Sequence, residues 1–126
     1  MKTKIETSKA PSAGTSPHSQ AIVANGFIFT QGSICLTPEG KLLEGTTEEQ
    51  VHQIMKNLQA ILEAAGTSFA NIVKTTIYMT DMSLYGEVNK VYGSYFSDPY
   101  PAREAACVKE LPLNSKVEIS MVAFKE

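Results

Sequence analysis

The order of strand and helix patterns along the chain most constrains its fold. One helical pattern covers about Thr47 to Ala65, and a second begins at Asp81 or Ser83 and ends before Asp98-Pro99. Strand patterns precede, separate and follow these helices, so the predicted order is ββ, α, β, α, ββ. This order predicts an α+β fold, a mixed β-sheet with two helices on one face.

The first helix carries the strongest local signals. Thr46 with Glu49, and Thr47 with Gln50, have the spacing of a capping box, and Gly66 can close the helix. Its apolar residues recur at helical intervals along one stripe: Val51, Ile54, Met55, Leu58, Ile61, Leu62 and Ala65. We therefore expect this helix to lie with its apolar stripe against the sheet.

The strands are indicated by turn chemistry and β-branched residues. Asn25-Gly26 suits a type I′ turn between Ala21–Ala24 and Phe27–Thr30, and residues 72–78 are rich in β-branched side chains. In the last strand, alternate residues are apolar on one face, and Val122 and Phe124 make the other face apolar too. Because two helices cover only one face of a sheet, we predict that the other face is buried in an oligomer.

Composition limits the classes of function. The 126 residues are 43% apolar and 19% charged, with a net charge of −2, which predicts a single domain over residues 1–126 and gives no basic stripe for nucleic acid. The apolar runs are too short for a membrane span, and the N-terminus has no secretory pattern, so we expect a soluble, cytoplasmic protein. Cys35 and Cys107 form no metal-binding motif, and we expect neither a metal nor a cofactor.

Arg103 and Glu118 are the first candidates for chemistry. We expect strands Arg103–Lys109 and Lys116–Phe124 to pair as a hairpin, with Glu118 opposite about Cys107 and on the same face as Arg103, roughly 13 Å away along the strand. An arginine binds a carboxylate through two parallel hydrogen bonds, and a glutamate can deprotonate a water. Both residues could instead be ordinary surface charges.

Motifs along nearly the whole chain resemble one known family. Near the C-terminus these are Tyr100-Pro101-Ala102-Arg103, Leu111-Pro112 and Val117-Glu118-Ile119. Earlier blocks follow in order: Ala10-Pro11 with Pro17, Thr30-Gln31-Gly32, Ala64-Ala65-Gly66, Ile72-Val73-Lys74-Thr75-Thr76, and Val88-Asn89 with Tyr92 and Phe96. The chain is similar to the Rid family of reactive-intermediate deaminases, also called RidA or YjgF-like proteins and L-PSP endoribonucleases.

The resemblance implies a YjgF-like, chorismate-mutase-like fold with a mixed β-sheet of about six strands, and the sheets form a trimeric barrel. Clefts lie between the subunits of this homotrimer. The implied enzyme is a hydrolase that uses no cofactor. It deaminates reactive 2-imino or enamine acids, such as 2-iminobutanoate or 2-iminopropanoate, to 2-keto acids and ammonia. Its partners are then a small carboxylate substrate and further copies of the same chain.

The resemblance also implies roles for individual residues. Arg103 matches the family arginine that binds the substrate carboxylate, and Glu118 matches the acidic residue that positions the attacking water. Gly32, after Gln31, matches the strand end that offers backbone groups to the substrate. Asn89 matches a polar residue near the cleft.

Several positions depart from the family pattern. His18 stands where many members have tyrosine, Gln31 where many have serine, and Ala105 where some have cysteine. His18 either reaches the cleft as an acid or hydrogen-bond donor, or is a solvated loop residue. Glu104 follows the arginine, and strand alternation directs it away from Arg103.

Two other functions compete with the deaminase. These departures favour a non-catalytic trimer that binds small carboxylates or keto acids through Arg103. The family's older label suggests an endoribonuclease acting as a translation inhibitor, although the chain is slightly acidic and offers one candidate arginine. Replacement of Glu118 by Gln discriminates between a deaminase, which loses turnover, and a binding protein, which is little affected.

Overall fold

The computed structural model describes all 126 residues and contains six strands and two α-helices. They are β1 (Lys2–Ile5), β2 (Ala21–Ala24), β3 (Phe27–Thr30), α1 (Thr47–Ala64), β4 (Ile72–Met79), α2 (Tyr85–Gly93), β5 (Ala102–Cys107) and β6 (Val117–Phe124). Short 3₁₀ turns lie at Phe69–Asn71, Met82–Leu84 and Pro112–Asn114. The strands form one mixed sheet in the order β1-β2-β3-β6-β4-β5. The predicted α+β class and the mixed sheet of about six strands are confirmed, although the predicted order of elements lacked β1.

Helix α1 forms as its sequence predicts. The Thr46 hydroxyl accepts a hydrogen bond from the Glu49 backbone, and the Glu49 carboxylate accepts one from the Thr46 backbone at 2.9 Å. Gly66 follows the helix with a φ of +84°, the left-handed conformation that favours glycine. The apolar stripe of α1 is buried with alternate residues of β6, namely Val117, Ile119, Met121 and Ala123.

The pairing predicted for the last two strands is wrong. β4 lies between them, because it pairs with β5 in parallel and with β6 in antiparallel orientation. The chain from β4 through α2 to β5 is a strand–helix–strand unit, and such a crossover sets its two strands parallel. A hairpin between β5 and β6 is therefore absent.

This topology also corrects the predicted face of Arg103. Across the sheet Thr75 pairs with both Arg103 and Met121, so Arg103 shares its face with Met121 on the helix side. Glu118 lies three residues before Met121 and therefore projects from the opposite face, beside Tyr78. Within one chain, Arg103 and Glu118 do not face each other.

Two other elements differ from the expectation. β1, which pairs with β2, was not predicted because the strand has only four residues, most of them polar, and lies at the edge of the sheet. α2 is shorter than its sequence pattern, since Asp81 accepts a hydrogen bond from the Ser83 backbone and begins a 3₁₀ turn instead.

The sheet face without helices is rich in apolar side chains. We call it the open face and define it by Ile22, Phe27, Phe29, Val122 and Phe124. Phe27 and Phe29 are 43% and 47% exposed, high values for phenylalanine on a sheet. An apolar surface of this kind is typical of a protein interface. Burial of this face in an oligomer stays a prediction.

A buried asparagine joins α1 to the segment that follows β3. The Asn57 amide donates hydrogen bonds to the carbonyls of Leu36 at 2.7 Å and Ile34 at 3.4 Å, and the residue is 1% exposed. The Leu36 carbonyl accepts from no other donor, whereas the Ile34 carbonyl also accepts from the Leu36 backbone at 2.8 Å. The amide thus fixes the chain just after Gly32.

We expect Asn57→Leu to lower the free energy of unfolding by about 1–3 kcal/mol, since leucine fills the space but leaves the Leu36 carbonyl unpaired. Urea denaturation measures the change. The control is Lys56→Ala at the exposed neighbour, with an expected change within about 0.5 kcal/mol. Equal stability of the Asn57 variant and the wild type would contradict the role given to this amide.

Candidate functional site

Glu118 lies in a small cavity at the end of the sheet. The cavity of about 250 Å³ is lined by Glu118 with His18, Gln31, Gly32 and Leu113, among others, and we call it the Glu118 cavity. Burial raises the pKa of the Glu118 carboxyl above its ordinary value of 4.5. The two ion pairs in the structure do not include this carboxylate. A carboxyl with a raised pKa can both accept and return a proton.

Gly32 is held directly against the Glu118 carboxylate. Ser33 and Ile119 exchange two backbone hydrogen bonds of 2.8 and 3.0 Å, which dock this segment onto β6. A Cβ atom at residue 32 would lie 2.6 Å from Oε2 of Glu118. Only glycine therefore fits beside the carboxylate in its present position.

Hydrogen bonds of the buried Gln20 hold the loop that carries His18 in place. The Gln20 amide donates to the carbonyl of Pro11 at 2.9 Å and accepts from the Thr7 backbone at 2.8 Å. The Gln20 carbonyl accepts from the Gln31 backbone at 2.8 Å. His18 is exposed on the rim of the Glu118 cavity, and its Nδ1 pairs with the Ser16 hydroxyl at 2.9 Å.

Arg103, the only arginine in the sequence, lies in a second cavity. This Arg103 cavity of about 290 Å³ is also lined by Asn89, Tyr92 and Tyr100. Nη1 of Arg103 donates to Oδ1 of Asn89, and Nη2 donates to the Tyr85 hydroxyl at 2.7 Å. The guanidinium carbon lies 5.6 and 5.4 Å from the ring centroids of Tyr85 and Tyr92.

No carboxylate of the chain forms an ion pair with Arg103. Its neighbours are a neutral amide, a hydroxyl and two aromatic faces, which fix the guanidinium without cancelling its charge. Glu104 points away and pairs with Lys74 at 3.3 Å, as strand alternation predicts. Ala105 lies two residues along β5, on the same side as Arg103. The cavity can therefore bind an anion.

The site residues predicted from sequence thus form two groups. Gly32, Gln31 and His18 surround Glu118, whereas Asn89 contacts Arg103 and Ala105 follows it on β5. The residues predicted from sequence do not include Tyr85. The signal was available, because Tyr85 and Asn89 are four residues apart and share one face of α2.

The chain offers little to a metal ion. No group of three His, Cys, Asp or Glu side chains lies close enough together to hold one. Cys35 is buried and Cys107 exposed, and they do not form a disulfide. None of the helices has both the length and the hydrophobicity that a membrane crossing requires.

The chain belongs to the Rid family. Residues 7–125 match the family model described as Endoribonuclease L-PSP. A RutC family protein of Aquifex aeolicus is 53% identical over 125 residues, which are 97% of this chain and 98% of that protein. The 2-iminobutanoate/2-iminopropanoate deaminase of Mus musculus is 44% identical over 122 residues, covering 96% of this chain and 90% of the mouse protein.

Solved structures agree with this assignment. The crystal structure of yeast Mmf1 superposes with a TM-score of 0.96 at 36% identity, and the match covers 100% of both chains. The fold is therefore that of the Rid, or YjgF-like, proteins.

The raised pKa of Glu118 predicts a pH-dependent stability. Below the ordinary pKa of 4.5 the carboxyl is protonated in both the folded and the unfolded protein. As the pH rises from there toward the pKa of Glu118 in the folded protein, the unfolded chain ionises first. The free energy of unfolding therefore falls over this range. Glu118→Gln removes this loss. We expect the variant to gain stability relative to wild type between about pH 4 and pH 7 in urea denaturation. A difference that is constant or shrinks over this range would contradict the burial of Glu118.

We expect Gly32→Ala to push the Glu118 carboxylate toward solvent and return its pKa toward 4.5, since the new Cβ overlaps Oε2. NMR titration of labelled glutamate carboxyl carbons measures this. Gly86→Ala is the matched control, because a Cβ at that position meets no atom within 4 Å. Unchanged titration of Glu118 in the Gly32 variant would show that the carboxylate does not depend on this close contact.

Proposed function

We propose that the protein hydrolyses reactive 2-imino and enamine acids, such as 2-iminobutanoate or 2-iminopropanoate, to 2-keto acids and ammonia. One observation carries the proposal: the only arginine is held by neutral groups and keeps an unpaired charge in an accessible cavity. A substrate carboxylate supplies the missing partner through two parallel hydrogen bonds. The name of the mouse relative gives the same activity for that protein.

The proposed chemistry needs little more than positioning. Protonation of an enamine gives an iminium, whose carbon is already electrophilic. As the water oxygen bonds to this carbon, the water proton passes to the Glu118 carboxylate and the C=N electrons return to nitrogen. The protonated Glu118 then gives this proton to the nitrogen of the carbinolamine. The C–N bond breaks while the hydroxyl oxygen forms C=O, and its proton leaves with ammonia as ammonium.

We further propose that each site forms between two subunits of a homotrimer. Arg103 and Glu118 project from opposite faces of one sheet, so one chain alone does not present both to one small substrate. A second copy that covers the open face could bring its Glu118 cavity to the Arg103 cavity of its neighbour. This arrangement would also bury the exposed phenylalanines of that face.

We expect Glu118→Gln to reduce turnover of 2-iminobutanoate by about 10²–10⁴-fold, the usual contribution of a general acid–base group. Threonine and a dehydratase generate the substrate in situ, and its decay is followed. Glu104→Gln is the matched control, because Glu104 pairs with Lys74 away from Arg103. We expect that control to match the wild type and Arg103→Ala to lose at least about tenfold in kcat/KM.

The result also separates the deaminase from its rivals. Saturable binding of 2-oxobutanoate without faster decay of the imine would replace the deaminase with a carboxylate-binding trimer. Glu118→Gln would then leave that binding unchanged. An endoribonuclease has less support, because RNA cleavage usually needs several cations around a phosphate and the Arg103 cavity holds one. The cytoplasmic location stays a prediction.

A mixing experiment tests whether the site is shared. The Arg103→Ala and Glu118→Gln chains are each expected to be much less active than the wild type as homotrimers. Subunit exchange between them recreates some interfaces that contain Arg103 from one chain and Glu118 from the other, so we expect activity to return. Light scattering confirms that the mixture is trimeric. A trimeric mixture that has exchanged subunits and gains no activity would show that both residues act within one chain.

A further inference from the structure

Tyr85 has a hydroxyl group that packing does not explain. Its oxygen accepts a hydrogen bond from Nη2 of Arg103 at 2.7 Å, while its ring lies under the same guanidinium at 5.6 Å. The ring alone would satisfy the packing role. The hydroxyl adds a polar group beside Nη2 of Arg103.

Tyr92 also places its ring against Arg103, but its hydroxyl group has a partner in the protein interior. Its ring lies 5.4 Å from the same guanidinium carbon, but its hydroxyl donates to the Thr75 hydroxyl at 2.9 Å in the interior. Burial raises the pKa of Tyr92, although the bond to Thr75 and the charge of Arg103 partly oppose the rise. The two tyrosines therefore support Arg103 similarly with their rings and differ in where their hydroxyl groups point.

A count of hydrogen-bond donors indicates what the Tyr85 hydroxyl can do. A guanidinium has five N–H donors, and Asn89 and Tyr85 accept one each, which leaves three. A carboxylate uses two of these in a bidentate pair. The Tyr85 oxygen accepts from Arg103, so its own O–H remains available, and no group of the chain accepts it.

We propose that the Tyr85 hydroxyl is a second ligand of the substrate carboxylate and donates its O–H to the anion that Arg103 binds. This inference rests on the proposed function in one respect, namely that Arg103 binds a carboxylate. A carboxylate oxygen has two lone pairs, so the oxygen that faces Nη2 can accept from Nη2 and from Tyr85 together. The site then offers three donors to one anion.

The test compares Tyr85→Phe with the wild type, using 2-oxobutanoate as the ligand in calorimetric titration. The variant keeps the ring and its stacking on Arg103 and loses only the hydroxyl. We expect affinity for 2-oxobutanoate to fall about tenfold, in line with loss of one charge-assisted hydrogen bond. In the imine assay we expect KM to rise by a similar factor while kcat changes less than about twofold, because the water-activating group is untouched.

The matched control is Tyr95→Phe, the same chemical change at a residue just beyond α2. The Tyr95 hydroxyl bonds to Nδ1 of His52 at 2.7 Å and does not contact Arg103. We expect this variant to bind 2-oxobutanoate like the wild type. A melting curve for each variant shows whether Tyr85→Phe keeps the native stability, which a binding role requires.

Two results overturn the inference. One is wild-type affinity in Tyr85→Phe, and the other is an equal loss of affinity in both tyrosine variants. Absence of saturable binding to the wild type would also overturn it, together with binding by Arg103. If 2-oxobutanoate binds in a Tyr85-dependent way but the imine is not hydrolysed faster, the inference stands and the proposed deaminase fails.

Discussion

The position of β4 between β5 and β6 is the constraint on which the rest of the site depends. Its two hydrogen-bonded ladders fix Arg103 on the helix side of the sheet and Glu118 on the open side. Because side chains alternate along a strand, this separation is lost only if the register shifts by a residue, which would also expose the core. The fold thus keeps the cation and the carboxylate from neutralising each other within one chain.

Each of these charged groups has an environment that keeps it reactive. Arg103 rests on aromatic faces and neutral oxygen atoms, which lower its mobility without pairing its charge. Glu118 lies half-buried beside Gly32, and this burial raises the pKa of its carboxyl. Burial of the unpaired Glu118 carboxylate costs stability compared with a solvated charge, and such costs are typical of functional sites.

Local signals were sufficient to predict most of the secondary structure. The capping box at Thr46, the left-handed Gly66 and the alternation in β6 depend on neighbouring residues alone, and the structure contains all three. β1 was missed because most of its residues are polar and because it pairs with β2, whose residues are distant in the sequence. The role of Asn57 was also hidden, since its partners lie more than twenty residues away.

The pairing of β5 shows where local reasoning failed. The short connection to β6 suggested a hairpin, but α2 between β4 and β5 forms a crossover, and crossovers set their strands parallel. Applied to the predicted helix order, that rule makes β4 and β5 parallel, but the middle position of β4 comes from its antiparallel ladder with β6, which joins residues distant in sequence. The candidate site residues were named without this topology, because motifs identify residues independently of the face from which they project.

The proposed assembly would explain both the separation of the two cavities and the exposure of the open face. A monomer leaves Phe27 and Phe29 in water and leaves the charges of Arg103 and Glu118 on different surfaces. Contact with a further copy could relieve both conditions at once, since burial of the apolar face supplies the free energy that brings the charged groups together. In such an assembly the hydrophobic interface and the site form together, so loss of the interface would remove the site even where each chain remains folded.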